Sequence, residues 1–504
     1  MSNKLIMTKI LLALMIVTVL AACADDNAAT EGASQVREDI IINVTADIVN
    51  LDPAQTVSST DFVMFHQIFS RLVYDSADGF IPGLAESWEL AADGLSYTFN
   101  IRQDVLFHNG DSLTAHDVVF TLERAMVSPY TAAPLAPISG VTALDDYTVR
   151  FDLHHQFAPF LSALQMIWIV GENSLTEAGD AFGRNPIGTG PYRFVSHQPG
   201  QSVQLTRFDD YFGTTPQIRD ITYMIILNPA TVSIAVEAGD IDLAVSAPPG
   251  DIARLSGIEG LTTTSFETRH LNFIALNVNA YPLDNPLVRQ AIAHAVDRES
   301  TIAMVADGFG TPASSFLNRM TFGYSPDIEI SSLDQNRARE LLAEAGYPDG
   351  LEIPIRTIGG GTFDSFAQVL QGSLNQVGIT SPIELMDQAA FLNDLFIGQY
   401  DIGLVAISLG ADGDAWSIVF TSDGGMNFTG YTNPEIDRLF DHGRVITDAN
   451  ERIQTYSEIA QLINDSAAFI PVYFTSTSYV HPSNLRMGWI DANGSYRVSH
   501  MRWE

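Results

Sequence analysis

Ala238-Gly239-Asp240-Ile241-Asp242-Leu243-Ala244 and, in the second half of the chain, Ile397-Gly398-Gln399-Tyr400-Asp401-Ile402-Gly403-Leu404 echo each other. Each reads as a helix end feeding a strand, and similar units in two halves suggest two lobes of related build. Patterns on either side agree with a mixed architecture. Tyr97, Phe99 and Ile101 alternate with polar neighbours, as do Tyr147, Val149, Phe151 and Leu153, which predicts half-buried strands. Thr114 with Asp117 opens a helix carrying Val118, Leu122 and Ala125. Asn285-Pro286 and Asn433-Pro434 each place a capping side chain before a proline suited to the first helical turn. Ala338, Leu341, Leu342 and Ala345 share a face that stops at Gly346. Phe366, Val369, Leu370, Leu374 and Val377 do the same before Gly378, and Ile453, Tyr456, Ile459, Ala460 and Ile463 line a longer helix. Both periods in chain order mean an α/β or α+β fold rather than a bundle or barrel. No short repeat points to a solenoid.

The length, 504 residues, permits two to four domains, and 46% hydrophobic against 17% charged residues allows a large core. The balance of 25 basic against 60 acidic side chains gives a net charge of −35. Both lysines, Lys4 and Lys9, lie in the first ten residues. The chain beyond them therefore has no P-loop lysine, Schiff-base lysine or Ser–Lys dyad. A nucleic-acid partner is disfavoured because phosphate binding wants a basic face. The acidity fits a solvated surface in salty surroundings, and the alternative is a cationic ligand or partner. Cys23 is the single cysteine, so there is no disulfide framework, cysteine nucleophile or cysteine zinc site.

Lys4 and Lys9 precede the apolar run Ile10–Leu20, which has the length of a signal-peptide core rather than of a membrane span. The run ends in Leu20-Ala21-Ala22-Cys23, which resembles the lipobox of bacterial lipoproteins. The expectation is a signal peptide over 1–22, acylation of Cys23 and a polar tether over 23–38. No HExxH, GxSxG elbow, strand-borne GxGxxG or complete EF-hand loop follows. The eleven histidines are scattered, and the adjacent pair His154-His155 would point to opposite faces of a strand. No metal site, cofactor or catalytic group is expected.

A series of motifs carries a family resemblance. Leu84-Ala85-Glu86-Ser87-Trp88-Glu89 runs on to Asp93-Gly94-Leu95-Ser96-Tyr97-Thr98-Phe99, followed by Val105–Gly110 and Leu113–Val118. Then come Pro186-Ile187-Gly188-Thr189-Gly190-Pro191-Tyr192-Arg193-Phe194, Val288–Ala291 with Asp297-Arg298-Glu299, Glu340–Gly350 and Gly430–Asp437. In this order they resemble the extracytoplasmic solute-binding proteins of family 5, which serve peptide and nickel ABC importers. The resemblance implies a two-lobed clamp with a hinge (type II, cluster C-like). Lobe I would span 39–268 with 479–504 returning to it, and lobe II 269–478, with crossovers near His270–Asn277 and Ile470–Tyr479. Within these motifs, Gly188, Gly190 and Pro191 fit a tight turn delivering Tyr192 into a strand. Trp88 reads as core.

The resemblance also places a ligand site. Peptide-binding members pair an acidic residue of lobe II with the ligand's amino terminus. The corresponding stretch is Ser408-Leu409-Gly410-Ala411-Asp412-Gly413-Asp414-Ala415-Trp416 after the strand Ile402–Ile407. It departs from the peptide pattern: serine replaces the usual tryptophan at 408, and the amine-pairing position falls at Ala411 or Asp412. Asp412 is the first candidate and Asp414 the second, with a solvated acidic turn as the plain alternative. Trp416 is either a cleft wall or packing. Arg356 is the candidate for a ligand carboxylate, and Ser59 and Thr60 are the candidates to offer lobe I hydroxyls to the ligand. The expected function is capture of a short peptide, a di- or oligopeptide, on the outer side of a bacterial membrane for an ABC permease and its ATPase. The protein would be a lipid-anchored monomer without enzymatic activity. The same scaffold with an oligosaccharide, an opine-like conjugate or chelated nickel is the alternative. A lipid-anchored hydrolase or chaperone stands behind both.

Overall fold

In the computed structural model, residues 37–504 are described except Val57, Ala77, Asp78, Trp489 and Ala492. The expected signal peptide, Cys23 and the tether as far as residue 36 lie outside the described residues. At Glu38 the chain is already part of the body: its carbonyl accepts from Asp220 N at 3.1 Å.

The expected α/β fold is present, organised by three main sheets. The first has the order Asp39–Val44, Asp220–Ile225, Ser202–Arg207, Tyr192–Gln198. The second, antiparallel, has the order Ala85–Leu90, Ser96–Ile101, Thr148–Leu153, Ile138–Asp145. Its predicted alternation is visible: Tyr97, Phe99 and Ile101 are buried, as are Val149, Phe151 and Leu153. Trp88 stacks on Phe99 at 6.1 Å and packs against this core. The third sheet has six strands in the order Gly310–Pro312, Phe469–Pro482, Leu261–Leu276, Ile402–Ile407, Ile355–Ile358, Ile383–Met386.

Two long strands of that third sheet join two sets of cores. Leu261–Leu276 and Phe469–Pro482 run antiparallel, paired from Leu261↔Pro482 to Glu267↔Ser476 and again from Leu271↔Phe474 to Ala275↔Phe469. Between Glu267 and Leu271 the register shifts. On one side of this break, Phe266 and Tyr479 pack with the cores built from residues 40–255 and 479–503. On the other side, Leu271, Phe273 and Phe474 pack with cores built from residues 271–474. Each strand thus belongs to two bodies in succession. A bulge interrupts ladder hydrogen bonds and bends the strand, so it marks the change of allegiance.

Local chemistry sets the helices that frame these sheets. Asn285 caps Pro286–Ala295 by accepting from Leu287 N, and Asn433 caps Pro434–Val445 by accepting from Glu435 N. The two echoing stretches both follow a helix that ends on a left-handed glycine, Gly239 at φ 77° and Gly398 at φ 70°. They differ afterwards. Ile402–Ile407 is a full strand, whereas Leu243 and Ala244 make only single bridges, to Ile42 and Val480. Asp242 explains the shorter pairing: its carboxylate accepts from Ile41 N at 2.8 Å, in place of a backbone acceptor.

Gly188 and Gly190 act through space rather than through a special dihedral, since neither has a positive φ. A Cβ on Gly188 would lie 2.1 Å from the Ile68 carbonyl oxygen, and one on Gly190 would lie 2.4 Å from that of Gln67. Gly190 N donates to Ile68 O at 2.8 Å. These glycines let the chain entering Tyr192–Gln198 lie directly on the end of the helix Ser59–Ile68.

Candidate functional site

After the strand Ile402–Ile407 the chain turns through Ser408–Ala411 into a short 3-10 helix, Gly413–Trp416. Asp412 caps that helix by accepting from Asp414 N at 3.0 Å. Its two oxygens also take a bidentate pair from Arg452, at 2.9 and 3.0 Å. Arg452 is held in turn by the Gly443 carbonyl at 2.8 Å and the Tyr456 hydroxyl at 3.0 Å. Both partners are buried, so Asp412 is neutralised inside its own body. Asp414 accepts from Arg444 Nε at 2.8 Å. Burial pushes its carboxyl up to about 6, against the pull of Arg444. Trp416 is packing: it stacks on Phe420 at 5.7 Å and meets Phe316 at 5.4 Å and Phe469 at 6.1 Å.

This segment faces the other body. Ala158 N donates to Arg444 O at 2.7 Å, and Ser408 Oγ donates to Asn493 Oδ1 at 3.2 Å. Phe322 N donates to Ala411 O at 2.8 Å, which ties in the Asn318–Phe322 segment beside Arg269. Arg269 sits in the register break of the first long strand, 3.9 Å from Asp75 of the other body.

Around that point lies a cluster that sequence reasoning missed. Helix Ser59–Ile68 delivers His66 and, just beyond its end, Arg71. The Arg71 backbone is fixed by Leu84 N on its carbonyl and by the Tyr74 hydroxyl on its N–H. The Arg71 guanidinium lies 3.9 Å above the Trp168 ring and donates to Gln165 Oε1 at 3.2 Å. Arg497 lies 3.9 Å above the Tyr74 ring. Burial, then repulsion from Arg497, lowers Arg71 to about 10, so it stays charged near neutral pH. His66 is held well below its usual range, first by burial and then by Arg71 and Arg497, and packs edge-on against Trp168 as the neutral ring. Asp491, raised mainly by burial, lies 3.6 Å from His66 Nε2. Arginines 71, 269 and 497 converge here from three distant parts of the chain, and no spacing rule links them.

Comparison with known proteins gives this two-bodied arrangement a family. The family model described as "Bacterial extracellular solute-binding proteins, family 5 Middle" matches residues 79–428, well over half of the chain. The chain belongs to that family. As a family 5 protein it is extracytoplasmic and built to bind a solute. It is 28% identical to the heme-binding protein A of Haemophilus influenzae, covering 90% of this chain and 91% of that one. It is 27% identical to the dipeptide-binding protein of Escherichia coli, covering 77% and 79%. Among solved structures it resembles the ABC transporter substrate-binding protein CtaP of Listeria monocytogenes. There the TM-score is 0.86 and the identity 26%, over 93% of this chain and all of that one.

Within this family 5 protein the remaining candidate residues lie apart from the cluster. Arg356, on the strand Ile355–Ile358, donates from Nε to Glu384 at 2.6 Å and also bonds the Gln399 carbonyl. Ser59 is exposed and Thr60 buried in the first turn of Ser59–Ile68, where Ser58 is the cap that accepts from Asp61 N. Among the described residues no group of acids and histidines has the arrangement of a metal site, and no helix is long and apolar enough to cross a membrane.

Proposed function

We propose that this chain is the solute-capturing component of an ABC importer, binding a short peptide between two lobes and passing it to a permease driven by an ATPase. Lobe I is 39–268 with 479–504, and lobe II is 269–478. The observation that carries the reading is the pair of long strands whose register breaks where the two sets of cores meet. Two crossing strands allow rigid-body rotation about a few residues, and closure is favoured by a solute that touches both faces. Acylated Cys23 holds the monomeric protein on the outer side of the membrane. The solute leaves unchanged.

A non-peptide solute is the second reading, favoured by one observation: the expected amine partner is either Ala411, which has no charge, or Asp412, which is already paired with Arg452. The test is thermal unfolding of residues 24–504 with di- and tripeptides, oligosaccharides and nickel chelates. A ligand at 100 times its Kd adds about 2.7 kcal/mol of stability, a readable rise in Tm. A rise with peptides, recovered intact afterwards, supports the first reading, and a rise with sugars or chelates alone overturns it in favour of the second. Replacing Cys23 by serine should move the protein from the membrane to the soluble fraction.

A further inference from the structure

The wall around Trp168 carries more hydrogen-bond donors than the protein satisfies. Arg71, Gln165, Trp168 and Arg269 are each at least nine-tenths buried. Yet Arg71 Nε, Gln165 Nε2, Trp168 Nε1 and Arg269 Nε have no acceptor among the described residues. Buried polar atoms are normally paired, and an unmet donor is costly. All four of these atoms carry N–H groups and accept nothing, so the missing partner is an acceptor.

Two of the four donors are guanidinium groups, which favour an anionic acceptor over a neutral one. Asp75 and Asp491 lie in the field of Arg71 and Arg269, and His66 beside them is neutral. The side of the cleft where an amine reader was expected is, by contrast, closed by the Asp412–Arg452 pair. The four donors come from both sides of the hinge. Arg71, Gln165 and Trp168 belong to the first body, while Arg269 leaves the register break and bonds the Met320 carbonyl of the second at 3.2 Å.

We propose that Arg71, Gln165, Trp168 and Arg269 form a receptor for a carboxylate of the solute, so that this protein reads an acidic peptide or amino-acid conjugate by its acid and not by its amine. The proposal rests on the solute-capture reading above. A carboxylate offers two acceptor oxygens that suit guanidinium forks, which a point cation such as lysine would not match. A carboxylate bridging Arg71 and Arg269 touches both bodies and so favours one arrangement of the lobes.

The test is titration calorimetry of residues 24–504 with a tripeptide library in three forms: free acid, C-terminal amide and N-acetylated acid. Glutaric acid serves as an acid without an amine. Loss of a charge-assisted contact corresponds to roughly ten- to a hundredfold in Kd. Amidation should weaken binding by that factor, and acetylation should change it by less than about threefold. Arg71→Gln should erase the difference between acid and amide. Should that variant misfold, the comparison of acid with amide on the unaltered protein still decides. Acid and amide bound equally, or acetylation costing more than amidation, overturns the receptor while leaving peptide capture intact. Binding of glutarate with every peptide silent upholds the receptor and removes the peptide reading. Silence toward every acid overturns the receptor.

Discussion

Replacing Asp412 by asparagine separates a structural carboxylate from a ligand-reading one. In the structure both Asp412 oxygens accept from Arg452, whose guanidinium also lies 4.6 Å from the Phe322 ring and bonds the Tyr456 hydroxyl. Asparagine keeps one acceptor but removes the charge, and Arg452 becomes a buried cation without its counter-ion. Breaking a buried pair in this way costs about 3–5 kcal/mol. For a unit of the size of lobe II, each kcal/mol moves Tm by about 2–4 °C, so the variant should melt on the order of 10 °C lower. Calorimetric unfolding measures that loss. Titration with a free-amine tripeptide and its acetylated form measures any role in recognition, and the expected result is the same small change for both. The double replacement Asp412→Leu with Arg452→Met should recover most of the stability, because it removes both charges together. A variant that melts at the original temperature, yet loses the free-amine peptide selectively, refutes the argument and restores Asp412 as the amine partner.

Asp414 makes stability depend on pH. Its folded pKa of about 6 lies above the usual 3.8, mainly through burial, so the folded state holds the proton more tightly. The contribution is fully present below pH 3.8 and is lost as pH rises through 6, by about 3 kcal/mol. Denaturant titrations between pH 4 and 7 should show this slope, and Asp414→Asn should flatten it. Gly188→Ala would press a methyl group onto the Ile68 carbonyl and should cost about 1–3 kcal/mol through forced backbone movement, read as a lower urea midpoint at unchanged m. Because that contact fixes the helix end that leads to Arg71, the same variant should also weaken solute binding.

What the sequence made legible was chemistry local to a few residues. The proline-assisted caps at Asn285 and Asn433 and the helix ends at Gly239 and Gly398 act within one turn of the chain, and so they can be read in order. The alternation over Tyr97–Ile101 shows its buried face for the same reason. The pairing of charges was not legible. Asp412 and Arg452 stand forty positions apart, and only the packing of Ala449–Ser466 beside the 3-10 helix Gly413–Trp416 brings them together. From the sequence, Asp412 is an acid next to a strand; in the fold, its charge is already answered.

The arginine cluster was hidden for a further reason. Every cation after Lys9 is an arginine, so residue type singles out none of them, and burial together with an unmet Nε is what distinguishes Arg71 and Arg269. Their burial depends on features the sequence displays for another purpose. Gly188 and Gly190 form part of the most recognisable motif in the chain, and their missing side chains allow the strand entry to seat against Gln67 and Ile68. Ser70, next in line, donates to the Thr189 carbonyl at 3.2 Å and accepts from Ile169 N at 3.0 Å. The chain is thus held on both sides at Ser70, and the next residue, Arg71, lies over Trp168. A motif that looks purely structural thus holds the group proposed to receive the solute's carboxylate. Its glycines should be sensitive in binding as well as in folding, whereas Arg356, already engaged by Glu384, should be sensitive in neither beyond a small loss of stability.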